Sequence, residues 1–99
     1  MNLTCDGYTY IMTNKWKTVL YTGVTSDLQK RVFQHKAHAF HNSFTARYQC
    51  EYLMWYEQFP SIEMAIACEK QIKAGSRAQK EALINSANPQ WINLYETIC

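Results

Sequence analysis

Residues 8–35 read YTYIMTNKWKTVLYTGVTSDLQKRVFQH, and the fold turns on how this stretch divides. From Tyr8 to Asn14 and from Thr18 to Val24, β-branched and aromatic residues dominate, with Lys15, Trp16 and Lys17 between them. That alternation is the signature of a β-hairpin. A two-residue loop at Lys15-Trp16 would pair positions whose numbers sum to 31, setting Tyr10 opposite Tyr21 on one face of the sheet. Lys-Trp is not the Gly or Asn pair such a loop favours, and a longer or bulged turn would shift that register. Past Gly23, Ser26 with Gln29 three residues on fits a capping box that opens a helix, with Leu28, Val32 and Phe33 as its buried stripe. Asp27, Arg31 and His35 recur at intervals of four and stack along a second face, which could look back at the tyrosines.

The remaining chain supplies what a hairpin and one helix lack. Residues 36–49, KAHAFHNSFTARYQ, have no sustained period and read as a loop or a frayed helix end. Cys50 to Phe59 is rich in Tyr, Trp, Leu and Phe and reads as a third strand. Pro60-Ser61 ends it and caps a helix from Ile62 to Ala74, with Gly75 as a left-handed terminator. Ile62, Ala65, Ile66 and Ile72 form that helix's apolar stripe, and Glu69 falls inside it. A carboxylate there must be paired, protonated or bound to a metal. The structural alternatives are an ion pair across the core, whose loss would cost roughly 3–5 kcal/mol, or a side chain that reaches out at the edge of the stripe. Ser76 caps a further helix to about Asn85 with Ala78, Ala82 and Leu83 inward, and Asn88-Pro89 begins a terminal turn that buries Trp91, Leu94 and Tyr95. The expected fold is α+β, a three-stranded, mostly antiparallel sheet packed with helices in the order β-β-α-β-α-α. Residues 1–99 then form one domain, with no repeat, linker or low-complexity tract.

Composition narrows the function classes. With 47% hydrophobic and 18% charged residues the chain is globular. No apolar run approaches the roughly 18 residues of a membrane span, and the first residues lack the regions of a signal peptide, so the expected location is cytoplasmic. There Cys5, Cys50, Cys68 and Cys99 are reduced thiols, and their wide spacing does not resemble a zinc site. His35, His38 and His41 at steps of three invite a metal reading, but the segment offers no carboxylate or thiolate beside them. The net charge of +2 is uneven: residues 1–50 carry six Lys or Arg against two Asp, residues 51–99 four against six Glu. An electropositive first half suits an anionic partner. No Gly-rich phosphate loop and no Ser-His-Asp pattern is present, and no second acid near Glu69 supports an acid-base pair.

In the segments LYTGVTSDLQKRVFQH (20–35), FTARY (44–48), IACEKQIKAGSR (66–77) and NPQWINLY (88–95), the chain resembles the GIY-YIG nuclease domain family, in its small stand-alone form. The second motif half is Tyr21-Thr22-Gly23 and the first is Tyr8-Thr9-Tyr10, with Tyr8 where the family usually has glycine and Thr9 for isoleucine. Gly75 stands where stand-alone members usually carry a tryptophan. The resemblance implies a metal-dependent endonuclease that hydrolyses phosphodiester bonds, in DNA in preference to RNA, in repair or processing of DNA structures. It implies Tyr10, Tyr21, Arg31, His35 and Glu69 as catalytic residues. Glu69 would hold Mg²⁺ or Mn²⁺, since hard cations prefer carboxylate oxygen. Arg31 would grip the scissile phosphate through its planar fork of donors. Tyr10 or Tyr21 would orient or deprotonate the water, and His35 would relay its proton or bond a phosphate oxygen.

Lys15, Trp16, Lys17, Lys36, Arg47, Lys73 and Arg77 are the candidate nucleic-acid contacts, with Lys70 as a further cation. So few contacts imply salt-sensitive affinity that a homodimer or a protein partner would raise. The competing readings are a nucleic-acid-binding module of the same fold without catalysis, and a protein-interaction domain.

Overall fold

The computed structural model describes residues 6–37 and 47–98. Three strands, β1 (Gly7–Thr13), β2 (Leu20–Thr25) and β3 (Tyr52–Phe59), form one sheet in the order β2-β1-β3, and both pairings are antiparallel. Among the described residues four helices accompany it: α1 (Leu28–Lys36), α2 (Ile62–Ala74), α3 (Arg77–Ala87) and a short α4 (Tyr95–Ile98). The expected α+β architecture and element order hold, with α4 added at the end of the chain. Among the described residues no helix is long and apolar enough to cross a membrane.

Strand alternation gives the sheet two covered faces. Tyr10 and Met12 of β1 pack with Leu28 and Val32 of α1, and Tyr8, Tyr21, Tyr56, Leu94, Tyr95 and Ile98 close around them. On the other face Ile11 meets Met54, Trp55 and Ile84, flanked by Leu20, Cys68, Ile72, Leu83 and Trp91 from β2, α2, α3 and the C-terminal segment. Thr9 also points there and donates its hydroxyl to the Ala65 carbonyl at 2.7 Å, tying α2 to the central strand. Between Ile11 and Met12 the β1–β3 register slips: Ile11 faces Trp55, Met12 faces Leu53, and Met54 is the extra residue of a bulge.

Several local expectations need correction. The hairpin register is Tyr10 with Gly23 and Met12 with Tyr21, a sum of 33 and not 31. The loop is longer than two residues because Asn14 is buried and organises it, accepting from Thr18 N at 2.9 Å and donating to Thr18 Oγ1 at 2.8 Å. A shift of two preserves the face, so both tyrosines still share one side. Helix α1 is capped by Asp27, whose carboxylate accepts from Lys30 N, and not by a Ser26 box. Its buried residues are Leu28, Val32 and His35, while Phe33 is 59% exposed.

Helix α2 spans the expected residues with Ser61 as its cap. Gly75, however, has φ −84° and ψ 171°, which is extended backbone, not left-handed. Its missing side chain instead leaves room for Gln79, which completes the capping box of α3 by accepting from Ser76 N at 2.8 Å. On α3, Ala78 and Ala82 are exposed and Ile84 is the buried residue. Trp91, Leu94 and Tyr95 are only half-buried. The C-terminal segment is bound to β3 mainly by Asn88 and Asn93: Asn88 Nδ2 donates to Met54 O at 3.1 Å, Leu53 N donates to Asn93 Oδ1 at 3.0 Å, and Leu94 N donates to Leu53 O at 2.8 Å. These bonds cover an otherwise open sheet edge.

Candidate active site

Tyr10 stands at the middle of the central strand and is fully buried. Its ring lies across Gly23 on β2, where a Cβ would come within 3.0 Å of the ring carbon Cε1 and closer still to Cζ. Glycine is therefore required at 23 by the close approach of a ring, not by backbone dihedrals. Tyr21 occupies the diagonal position on the same face, with ring centroids 6.3 Å apart. From α1 His35 completes a three-ring cluster: its centroid lies 5.9 Å from Tyr10 and 5.7 Å from Tyr21, and its Nε2 is 2.9 Å from the Tyr10 hydroxyl. Burial of His35 on the helix stripe, in place of Phe33, makes this bond possible.

The electrostatics of the pair follow from burial. Desolvation pushes the Tyr10 phenol well above its usual range, Tyr21 adds to the rise, and the Arg31 guanidinium pulls the other way by charge and hydrogen bond. Burial, with the Arg31 charge second, lowers His35 from 6.5 to about 4. At neutral pH the phenol is protonated and the imidazole neutral. In the Nδ1–H tautomer Nε2 accepts from Tyr10, and in the other tautomer the direction reverses.

Glu69 stands on α2, which packs on the opposite face of the sheet through Ala65 and Thr9. The carboxylate is 14% exposed and its Oε2 lies 2.9 Å from Lys73 Nζ, itself 52% exposed. Glu69 is thus not buried within the stripe, which runs through Ala65, Cys68 and Ile72; it sits at the stripe's margin in an i,i+4 pair. Its charge raises the Tyr10 pKa further, and its hydrogen bond is the largest cause raising that of Lys73, which Tyr21 also raises. Beside Arg31, a cavity of about 300 Å³ is lined by Thr25, Ser26, Asp27, Lys30, Arg31 and Gln34.

Sequence reasoning did not single out Lys30 or Gln34, although the helical spacing 27, 30, 31, 34 would have found both. Asp27 holds the helix cap by accepting from Lys30 N.

Of the candidate nucleic-acid contacts, Lys15, Trp16, Lys17, Lys36, Arg47 and Lys73 are exposed. Lys36 lies over the Tyr95 ring at 4.1 Å. Arg77 instead braces the hairpin loop, because its guanidinium donates to Thr18 O at 2.8 Å, Lys17 O at 2.9 Å and Glu81 Oε2 at 2.7 Å. The thiols of Cys50 and Cys68 are pushed up by burial, which makes them poor metal ligands, and no group of three His, Cys, Asp or Glu side chains gathers among the described residues. His38 and His41, and with them the three-histidine reading, lie outside the described residues.

A three-stranded sheet that presents two tyrosines against an arginine-histidine helix, with a glutamate from the next helix, defines the class. The chain matches the GIY-YIG catalytic domain over residues 6–82 and belongs to the GIY-YIG family, whose domain is of nuclease type. It is 35% identical over 82 residues to a UPF0213 protein of Natronomonas pharaonis, covering 83% of this chain and 94% of that protein. A UPF0213 protein of Syntrophus aciditrophicus is 35% identical over 83 residues, covering 84% and 93%. The solution NMR structure of a UPF0213 protein from Bacillus halodurans superposes with a TM-score of 0.55 at 31% identity, covering 88% of this chain and 90% of the other.

Proposed function

We propose that this chain is a metal-dependent endonuclease that hydrolyses phosphodiester bonds in DNA, acting in repair or processing of DNA structures. The observation that supports the reading is the cluster of Tyr10, Tyr21 and His35, with the Tyr10 hydroxyl 2.9 Å from His35 Nε2 and the Arg31 charge acting on both members of that pair. A buried phenol–imidazole pair under the influence of a guanidinium is the kind of arrangement that functional sites use.

The roles divide by exposure. Tyr10 and His35 are almost entirely buried, whereas Tyr21 and Arg31 are half-exposed. Tyr21 therefore meets the attacking water, and Arg31 donates to the nonbridging oxygens of the scissile phosphate. The Tyr10–His35 bond fixes the floor beneath them: His35, kept neutral by burial and the Arg31 charge, holds the Tyr10 hydroxyl in place. Glu69 would hold Mg²⁺ or Mn²⁺. Lys73 Nζ occupies one acceptor site on Oε2, and the carboxylate keeps further acceptor sites for an ion that retains most of its water, provided the lysine shares or yields the carboxylate. A bound divalent ion would supply neutralisation of charge on the phosphate and acidification of a water. Lys30 beside Arg31 and Lys73 beside Glu69 add cations along the strand's path.

Incubation with a panel of labelled single-stranded, duplex, nicked and branched DNA and of RNA, in Mg²⁺ and in Mn²⁺, tests the reading. Cleavage that requires metal and is lost in Arg31→Ala is expected. Metal-independent binding without cleavage anywhere in the panel would identify a binding module instead.

A further inference from the structure

Trp16 is 60% exposed at the tip of the β1–β2 hairpin. A single exposed aromatic residue is ordinary on a protein surface. What sets Trp16 apart is how firmly its loop is held. Asn14 accepts from Thr18 N and Val19 N and donates to Thr18 Oγ1, and Lys17 N donates to Asn14 O at 3.0 Å. Lys17 takes a left-handed φ of 59° without being glycine. From α3, Arg77 grips the carbonyls of Lys17 and Thr18 and is itself braced by Glu81. The loop is thus ordered from inside and from below, and the indole is presented with little entropy left to lose.

The surroundings specify what it receives. Lys15 Nζ lies 5.4 Å from the Trp16 ring centroid, Lys17 follows, and the loop contains no acid. A π-face between two lysines suits an anionic partner with a flat ring of its own. The same hairpin carries Tyr21 as the second residue of β2, so the tip and one of the candidate catalytic tyrosines belong to one hairpin. A base within a continuous duplex has both faces covered by its neighbours. Only an unpaired base can offer a face to the indole.

We infer that the hairpin tip is a stacking platform for an unpaired nucleobase, so that the favoured substrates carry single-stranded nucleotides beside the cleaved bond. The inference rests on the nuclease reading for its biological sense, but its test needs no cleavage.

The test measures binding of the full chain, with EDTA present, to a fluorescein-labelled single-stranded oligonucleotide and to the corresponding blunt duplex, by anisotropy at fixed salt. Trp16→Ala should weaken the single strand about tenfold, as expected for one base–aromatic stack, and change duplex binding less than about twofold. Trp16→Phe should recover most of the loss. Equal loss on both ligands, or no loss on either, overturns the platform while leaving the nuclease reading intact. Failure of the wild type to bind either ligand overturns the platform, while the nuclease reading stands or falls by the cleavage panel. Dimerisation that Trp16→Ala abolishes, with oligonucleotide binding unchanged, would overturn the platform and assign the indole to a second copy of the chain.

Discussion

Replacing His35 by glutamine should change how the stability of the fold depends on pH, and the size of the change follows from the site. His35 is 4% exposed, and its folded-state pKa is lowered from 6.5 to about 4. The unfolded chain therefore binds a proton through this window that the folded chain refuses. By linkage, stability is fully present above about pH 6.5 and is lost as pH falls toward 4. At 1.36 kcal/mol per pH unit, the interval from 6.5 to about 4 corresponds to roughly 3 kcal/mol. For a domain whose total stability is of order 5–15 kcal/mol, that loss is large. Glutamine keeps a hydrogen-bonding group near the Tyr10 hydroxyl and removes the titration. Urea unfolding of wild type and His35→Gln at pH 7, 6, 5 and 4 cancels the contribution of carboxylates common to both. The variant should start less stable at pH 7 and converge on or overtake the wild type by pH 4. A stability difference that stays constant from pH 7 to pH 4 would refute the buried, neutral imidazole and the role it has in holding the Tyr10 hydroxyl.

Glu69→Gln should cost only about 0.3–0.5 kcal/mol, the usual worth of a half-exposed i,i+4 pair, because Lys73 retains water when its partner is lost. Thermal unfolding with and without Mg²⁺ checks this: metal should raise the wild-type midpoint and leave the variant unmoved, and a large destabilisation without metal would favour a purely structural carboxylate. Gly23→Ala should destabilise by about 1–3 kcal/mol through overpacking as the new methyl displaces the Tyr10 ring. Its second readout, by NMR titration, is a His35 pKa moving back up toward 6.5. Asn88→Ala removes a buried side chain bonded to Met54 O, Ile92 O and Ile92 N. It should cost about 1–3 kcal/mol, and hydrogen exchange should show the C-terminal segment detaching from β3 before the sheet opens.

Local patterns carried most of the fold. The hairpin, the third strand, the full span of α2 and the cap at Ser76 were readable because each depends on neighbours in sequence: β-propensity, period, Pro60 and the cap residues. The placement of the candidate site residues on their elements was readable for a related reason. The spacing of Arg31 and His35 places them on one helix, and an even register shift leaves Tyr10 and Tyr21 on one face. What failed were features decided by contacts distant in sequence. Asn14 and Arg77, far apart along the chain, jointly set the loop that moved the register. Phe33 and His35 are both compatible with a buried stripe on α1, and only the Tyr10 hydroxyl across the core favours burying the polar ring. Glu69 lies in the apolar stripe by period, yet stands at its margin because α2 crosses near the open edge of β2, where Lys73 and water remain within reach. Periodicity specifies a direction around a helix axis. Whether that direction meets core, partner or solvent is decided by where the neighbouring elements end.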